Sequence, residues 1–192
     1  MKHIILASAS PRRRELLGMI VPDFEIATGI EVDESYPEDL PAEHVPVFLS
    51  QIKAAAYQHR VGINDVLITA DTVVIVDNNI LGKPASRDEA VAMLSTLSGR
   101  SHVVVTGVTI TTISGQQSLS QRTIVHFDSL SKAEIEFYVD KYNPIDKAGA
   151  YGIQEWIGAA AISGIEGSFY NVMGLPIHQV FVALRQLGAI GI

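Results

Sequence analysis

The stretch Val66-Leu67-Ile68-Thr69-Ala70-Asp71-Thr72-Val73-Val74-Ile75-Val76 decides the fold. Branched apolar residues dominate it, which reads as strongly β and as the most apolar strand of the chain. Asp77-Asn78-Asn79 follows as a turn signal, so a hairpin returns through Ile80 and Leu81. Before it, a helix is expected from Val45 to His59, with Val47, Phe48, Ile52, Ala55 and Ala56 as its apolar side. After it, Ser86-Arg87-Asp88-Glu89 reads as a capping box opening a helix through Ala90, Val91, Met93, Leu94 and Leu97, closed by Gly99.

Further out, the alternation continues. His3 to Ala7 reads as a buried strand. Ser10 is the N-cap and Pro11 the first residue of a helix that ends near Gly18. Asp23 to Thr28 reads as a second strand, and the acidic segment Asp33 to Glu43 as a loop. His102 to Thr112 is a long strand, paired across the Gly115 turn with Gln121 to Phe127. Ser131 to Glu134 is another capping box, for a helix reaching Tyr142, and Pro176 to Leu187 is the last helix. The fold class is α/β, as one compact unit or as two lobes around a cleft, with residues 1–192 forming a single domain.

Composition narrows the function. The chain has 192 residues, 47% hydrophobic and 18% charged, which suits a folded globular protein. Its net charge of −7 argues against a general nucleic-acid binder or an anionic-membrane binder. Without cysteine there is no disulfide and no thiolate chemistry. The apolar run Ile4 to Ala7 is too short for a signal peptide, and no run approaches the ~20 residues of a membrane span, so the expected location is the cytoplasm.

Several segments carry chemistry. Ser8-Ala9-Ser10-Pro11-Arg12-Arg13-Arg14 places hydroxyls, free backbone N–H groups and cations where a strand turns into a helix, the layout of a phosphate cradle. It lacks the GxxxxGK[ST] pattern, and the plain alternative is an N-cap with solvated arginines. Asp71 interrupts the apolar strand. A carboxylate there is costly unless it is paired, metal-bound or facing a cleft, which favours catalysis over a buried structural role. Lys83, in Gly82-Lys83-Pro84, returns near it, but one residue of register decides which face it shares. Asp33, Glu34 and Lys53 read alone as surface charges. Asp146-Lys147-Ala148-Gly149-Ala150-Tyr151-Gly152-Ile153-Gln154 is a shaped loop suited to close backbone approach by a ligand, or merely a tight connection. Asn171 is a candidate pocket polar group, whereas Phe169, Tyr170 and Met173 read as structural. The six histidines show no metal-ligand spacing, and His102 reads as core or rim.

Taken in order, Leu6 to Arg13, Ala70-Asp71-Thr72-Val73, Gly82-Lys83-Pro84, Leu97 to His102, Asp146 to Gln154 and Gly174-Leu175-Pro176 resemble the Maf proteins, nucleoside triphosphate pyrophosphatases historically called septum formation proteins. The resemblance covers essentially the whole chain. It implies a Maf/Ham1 (ITPase-like) fold, a long bent mixed sheet with helices and two lobes around a central cleft. It implies hydrolysis of a nucleoside triphosphate to the monophosphate and pyrophosphate with a divalent metal, Mg or Mn. Asp71 matches the catalytic proton acceptor. Ser8, Arg12, Arg13, Glu34, Lys53 and Lys83 match substrate-contacting positions, with Asp33 an alternative to Glu34. Asp71 and Glu34 are the metal candidates. The Gly149 to Gln154 string resembles the dTTP/UTP branch, whose specificity positions fall on Arg12, Thr72 and Gln154. A homodimer is also implied. Chemically, Gln154 offers a donor and an acceptor to the N3–H and O4 edge of uracil or thymine, although a flipped amide also suits cytosine. Two alternatives stand beside this reading: the same chemistry on another nucleotide such as a methylated GTP, and a nucleotide-binding regulator of division.

Overall fold

A computed structural model describes residues 2–191. The chain runs β1 (His3–Leu6), α1 (Pro11–Gly18), β2 (Glu25–Ile26), α2 (Val45–Tyr57), β3 (Asp65–Val76), β4 (Asn79–Leu81), α3 (Arg87–Leu97), β5 (Ser101–Thr112) and β6 (Gly115–Phe127). It continues through α4 (Lys132–Tyr142), α5 (Trp156–Ala161), β7 (Ile162–Glu166), α6 (Phe169–Met173) and α7 (Ile177–Gln186). The strands form one seven-stranded sheet in the order β2-β1-β3-β5-β6-β7, with β4 also paired to β3. It is mixed: β1 is parallel to β2 and β3, whereas β4 and β7 pair antiparallel. The α/β expectation therefore holds. The chain divides into two compact units. One comprises Met1–Asp71, Thr106–Gln121 and Gly174–Ile192, the other Thr72–Val105 and Arg122–Met173.

In the first unit, β1 is flanked by β2 and β3, and Ile5, Ala7, Ala27, Tyr57 and Leu67 form a core cluster. Helix α1 begins as its sequence dictates. The Arg13 N–H donates to the Ser10 hydroxyl (3.4 Å), Pro11 opens the helix, and Leu16 and Leu17 are buried. Helix α2 corrects the expected apolar face. Ala55 is exposed and Val47, Phe48, Ile52 and Ala56 are only half-buried, while Val45, Leu49, Ser50, Ala54 and Tyr57 face inward. The cause is a polar chain that hydropathy does not reveal. Ser50 Oγ donates to the Val47 carbonyl (2.8 Å) and accepts from Thr109 Oγ1 (2.7 Å). Thr109 in turn accepts from Ser118 (3.0 Å), which accepts from Gln51 (3.0 Å). Thr69 Oγ1 donates to the Ser50 carbonyl (2.7 Å), tying α2 to β3. The Ser50, Thr109 and Ser118 hydroxyls are thus each both donor and acceptor, which satisfies buried polar atoms that would otherwise be costly.

In the second unit, Asp77 and Asn78 both adopt positive φ (49° and 63°), the two-residue turn that suits a hairpin's twist. It sets Val76 opposite Asn79, Ile75 opposite Ile80 and Val74 opposite Leu81. Pairing ends at Leu81, so the hairpin register does not extend to Lys83. The box at Ser86 is half-formed. Ser86 Oγ accepts from the Glu89 N–H (3.2 Å), but Glu89 reaches one residue further, to the Ala85 N–H (2.7 Å). At Ser131 the reciprocal box is complete. Helices α5 and α6 and strand β7 have no counterpart in the sequence expectations, being short, with Gly158 inside α5, Gly164 inside β7 and Gly167 between β7 and α6. Asn171 is corrected from a pocket group to a core one: its Nδ2 donates to the Val104 carbonyl (3.2 Å) and to Thr123 Oγ1 (2.9 Å). Phe169 and Tyr170 are also corrected, since both are substantially exposed, whereas Met173 is buried as expected.

His102 is a core residue, packed edge-on against Phe127 and Tyr151, with ring centroids 5.1 and 5.4 Å away. Its Nε2 meets the Tyr151 hydroxyl at 2.7 Å. Burial, and secondarily the charge of His126, pushes the imidazole pKa down from 6.5 to about 4.

Two outcomes follow from these contacts. A Cβ on Gly107, in β5, would run into the backbone at Pro46 and Val47, in the first turn of α2. Backbone has little room to yield, so Gly107→Ala should destabilise by about 1–3 kcal/mol in a urea melt. His102 is neutral when folded, whereas its unfolded counterpart takes a proton near 6.5. Its contribution is therefore present above pH 6.5 and is lost as the pH falls towards 4, at up to about 1.4 kcal/mol per pH unit. His102→Gln should flatten the stability profile over that window, as measured by melts at stepped pH.

Candidate active site

Asp71 lies at the end of the β3 residues that belong to the first unit, with a side chain only 13% exposed. Its compensation is Lys53, on α2, whose ammonium donates to Asp71 Oδ1 at 2.6 Å and is itself 16% exposed. Glu34, from the acidic loop, brings Oε1 to the same ammonium at 2.9 Å. Glu34 is an exposed charge, as the sequence suggests, whereas Lys53 is largely buried and is no ordinary surface charge. Lys53 occupies the inward-turned polar side of α2, one turn after Ser50. Asp33 is engaged elsewhere: its Oδ1 accepts the Ser35 N–H (2.9 Å).

The start of α1 belongs to the same unit. Ser8 is buried, and its Oγ accepts the Ser10 N–H (3.2 Å), which orients the hydroxyl within the turn. Arg12 and Arg13 occupy the first turn of the helix. Arg13 donates from Nε to the Gly174 carbonyl (2.8 Å) and from Nη1 to the Ala70 carbonyl (2.8 Å), the residue before Asp71. Burial lowers its pKa from 12.5, the Asp71 carboxylate opposes that shift, Arg12 adds to it, and Glu34 opposes it. So Ser8, Arg12, Arg13, Glu34, Lys53 and Asp71 share one unit, and five of them (Arg12, Arg13, Glu34, Lys53 and Asp71) are linked by hydrogen bonds, ion pairs or direct electrostatic influence.

The second unit holds the other sequence candidates. Thr72 is half-buried, and Lys83 and Gln154 are exposed. The Gly149 N–H donates to the Gly82 carbonyl (3.0 Å), which joins the loop of residues 146–154 to the segment carrying Lys83. Gly149 has φ +67°, and a Cβ there would press on Val74, so this crossing needs glycine. Sequence reasoning missed what holds this loop: Lys147, Tyr138 and Glu155. A lysine and a glutamate flanking a small-residue, non-periodic segment were the available signal.

The donor set also bears on a metal. Asp71 Oδ1 and Glu34 Oε1 converge on one cationic point, at present the Lys53 ammonium. Carboxylate oxygens suit a hard divalent cation that takes its remaining ligands from phosphate oxygens. No three His, Asp or Glu side chains cluster with metal-binding geometry among the described residues, so the pair alone is an incomplete ligand set.

Known proteins resemble the chain over nearly its whole length. The chain is 52% identical over 185 residues to a dTTP/UTP pyrophosphatase of Bacteroides thetaiotaomicron, covering 96% of each chain. It is 51% identical over 187 residues to a dTTP/UTP pyrophosphatase of Porphyromonas gingivalis, covering 96% of this chain and 94% of that one. In fold it is similar to the Staphylococcus aureus Ham1 protein, with a TM-score of 0.57 at 15% identity over 97% of this chain and 100% of that one. The family model described as "Maf-like protein" matches residues 3–187, and with half of all positions identical to curated relatives over nearly its whole length, the chain belongs to the Maf family.

Proposed function

We propose that the chain is a nucleoside triphosphate pyrophosphatase that hydrolyses dTTP and UTP to the monophosphate and pyrophosphate. The observation that carries this reading is the Asp71–Lys53–Glu34 cluster, next to the Ser8–Arg13 helix start, in a chain half identical to dTTP/UTP pyrophosphatases. Phosphates are met by the α1 N-terminus, the Ser8 hydroxyl and Arg12. Arg13 spends two donors on backbone carbonyls, so its part is to fix β3 and add positive charge. Lys83 contributes a further cation to the same substrate.

Lys53 holds Asp71 Oδ1, and the other carboxylate oxygen takes a proton from water. The water oxygen bonds to the α-phosphorus in line with the leaving group, the bond from that phosphorus to the bridging oxygen breaks, and pyrophosphate departs. A Mg or Mn ion held by Asp71 and Glu34 would supply charge neutralisation to the phosphate oxygens. Gln154 reads the pyrimidine edge, with Arg12 and Thr72 as further specificity positions. A single catalytic domain spanning the chain, a homodimer and a cytoplasmic location belong to the same reading. What the fold itself offers on location is that no helix among the described residues is long and apolar enough to cross a membrane.

A nucleotide panel with product analysis tests the reaction. The expected products are dTMP or UMP with pyrophosphate, and a diphosphate with orthophosphate would refute cleavage at the α-phosphorus. Asp71→Asn should lower turnover roughly 10²–10⁴-fold while the melt shows a folded protein and triphosphate binding is unchanged or tighter. Turnover like that of the parent would remove Asp71 from the chemistry. Gln154→Ala should reduce dTTP and UTP turnover more than that of other nucleotides, by about 1–3 kcal/mol in kcat/KM. A uniform loss across the panel would give Gln154 a shaping role only.

A further inference from the structure

Besides the Gly149 bond to Gly82, residues 147–155 are anchored by side chains of the second unit. Lys147 Nζ, 9% exposed, donates to Asp146 Oδ1 (2.7 Å) and pairs with Glu155 Oε1 (3.2 Å). The Tyr151 hydroxyl meets His102 Nε2. The Gly152 N–H donates to the Tyr138 hydroxyl (3.0 Å), and that hydroxyl donates to Glu155 Oε2. Gly152 and Glu155 are the two ends of one turn, closed by the Glu155 N–H donating to the Gly152 carbonyl (3.0 Å). Within that turn Ile153 is buried and Gln154 is exposed. Tyr138 is fully buried on α4 and therefore grips both ends of a turn whose outward residue is Gln154.

We propose that Tyr138 and Glu155 are positioning residues for base selection, a latch that fixes both ends of the Gly152–Glu155 turn and so sets the direction in which Gln154 meets the uracil or thymine edge. This rests on the proposed pyrimidine triphosphate substrate and on Gln154 as its reader. Burial, reinforced by the bond to Glu155, raises the Tyr138 pKa, so the phenol keeps its proton and stays a donor. The Glu155 carboxylate is held from two sides, by Lys147 and by Tyr138, so it has a fixed orientation rather than a choice of rotamers. A latch of this kind acts on recognition. Loosening it lets the amide of Gln154 swing, which weakens hydrogen bonds to the base and leaves the phosphate chemistry intact.

The test is a double-mutant cycle on the full chain, measuring kcat and KM for dTTP, UTP and CTP in the parent, Tyr138→Phe, Gln154→Ala and the pair. Tyr138→Phe should raise KM for dTTP and UTP about 10-fold with kcat little changed, shift CTP less than threefold, and be nearly silent in the Gln154→Ala background. An equal loss on all three nucleotides, or the same factor in both backgrounds, would make Tyr138 a structural residue and overturn the latch. If Gln154→Ala alone changes the base preference and Tyr138→Phe does not, the latch fails and the base reading stands. If Gln154→Ala leaves the preference untouched, the base reading fails and the latch with it. Should Tyr138→Phe melt early, Glu155→Gln keeps the side-chain shape while losing the charge opposite Lys147, and it should show the same dependence on Gln154.

Discussion

The ion pair between Lys53 and Asp71 is the constraint on which the first unit is arranged. A carboxylate in a strand of valines and isoleucines is tolerated only if a cation reaches it, and here that cation comes from a helix. The helix must therefore lie at one height and one rotation against the sheet. Its first turn sits on the bare backbone of Gly107, and its inward face is held by the hydroxyls of Ser50, Thr69 and Thr109. These contacts settle where the lysine ends, and the lysine settles which way the carboxylate points. Glu34, from a loop with no regular structure, is gathered by the same ammonium.

The second unit solves a different problem with similar means. A segment of glycine and alanine has few side chains with which to define its own shape. Its shape comes from outside, through buried hydrogen bonds to Tyr138 and His102 and through the Lys147–Glu155 pair. The aromatic trio of His102, Phe127 and Tyr151 adds edge-to-face packing, which orients rings as well as burying them. Stiffness without bulk is the result, and that is useful where a backbone must come close to a flat ligand.

Much of this was legible in the residues. Ser10-Pro11, the Asp77-Asn78 turn and the Ser131 box state their geometry locally, because each depends on neighbours within three or four positions. Asp71 announced itself by standing where an apolar residue belongs. The helix at 45–57 was legible as a helix but not in its rotation, since its buried face carries Ser50 and Lys53, and their partners lie tens of residues away. For the same reason Glu34 and Lys53 looked ordinary: a salt bridge across 18 or 19 residues leaves no periodic trace. Asn171 misled in the opposite direction, a polar residue in a turn-rich stretch that proves to be bonded inside the core. Tyr138 and Glu155 escaped notice because a tyrosine on a helix and a glutamate before one are common, and only the fold brings them onto the same turn.

Arg13 has a consequence for how the protein is made. Its guanidinium closes on a carbonyl 57 residues later and on another 161 residues later. Contacts of such sequence separation form late in folding, because a long loop must close before they are rewarded. On a ribosome the strand bearing Asp71 emerges well before Gly174 does. A nascent chain can thus possess the Asp71 carboxylate, its lysine and the helix start while the arginine still lacks its second carbonyl. The candidate site is finished only when the chain is free through Gly174, so its last bond waits on a residue synthesised 161 positions after the arginine itself.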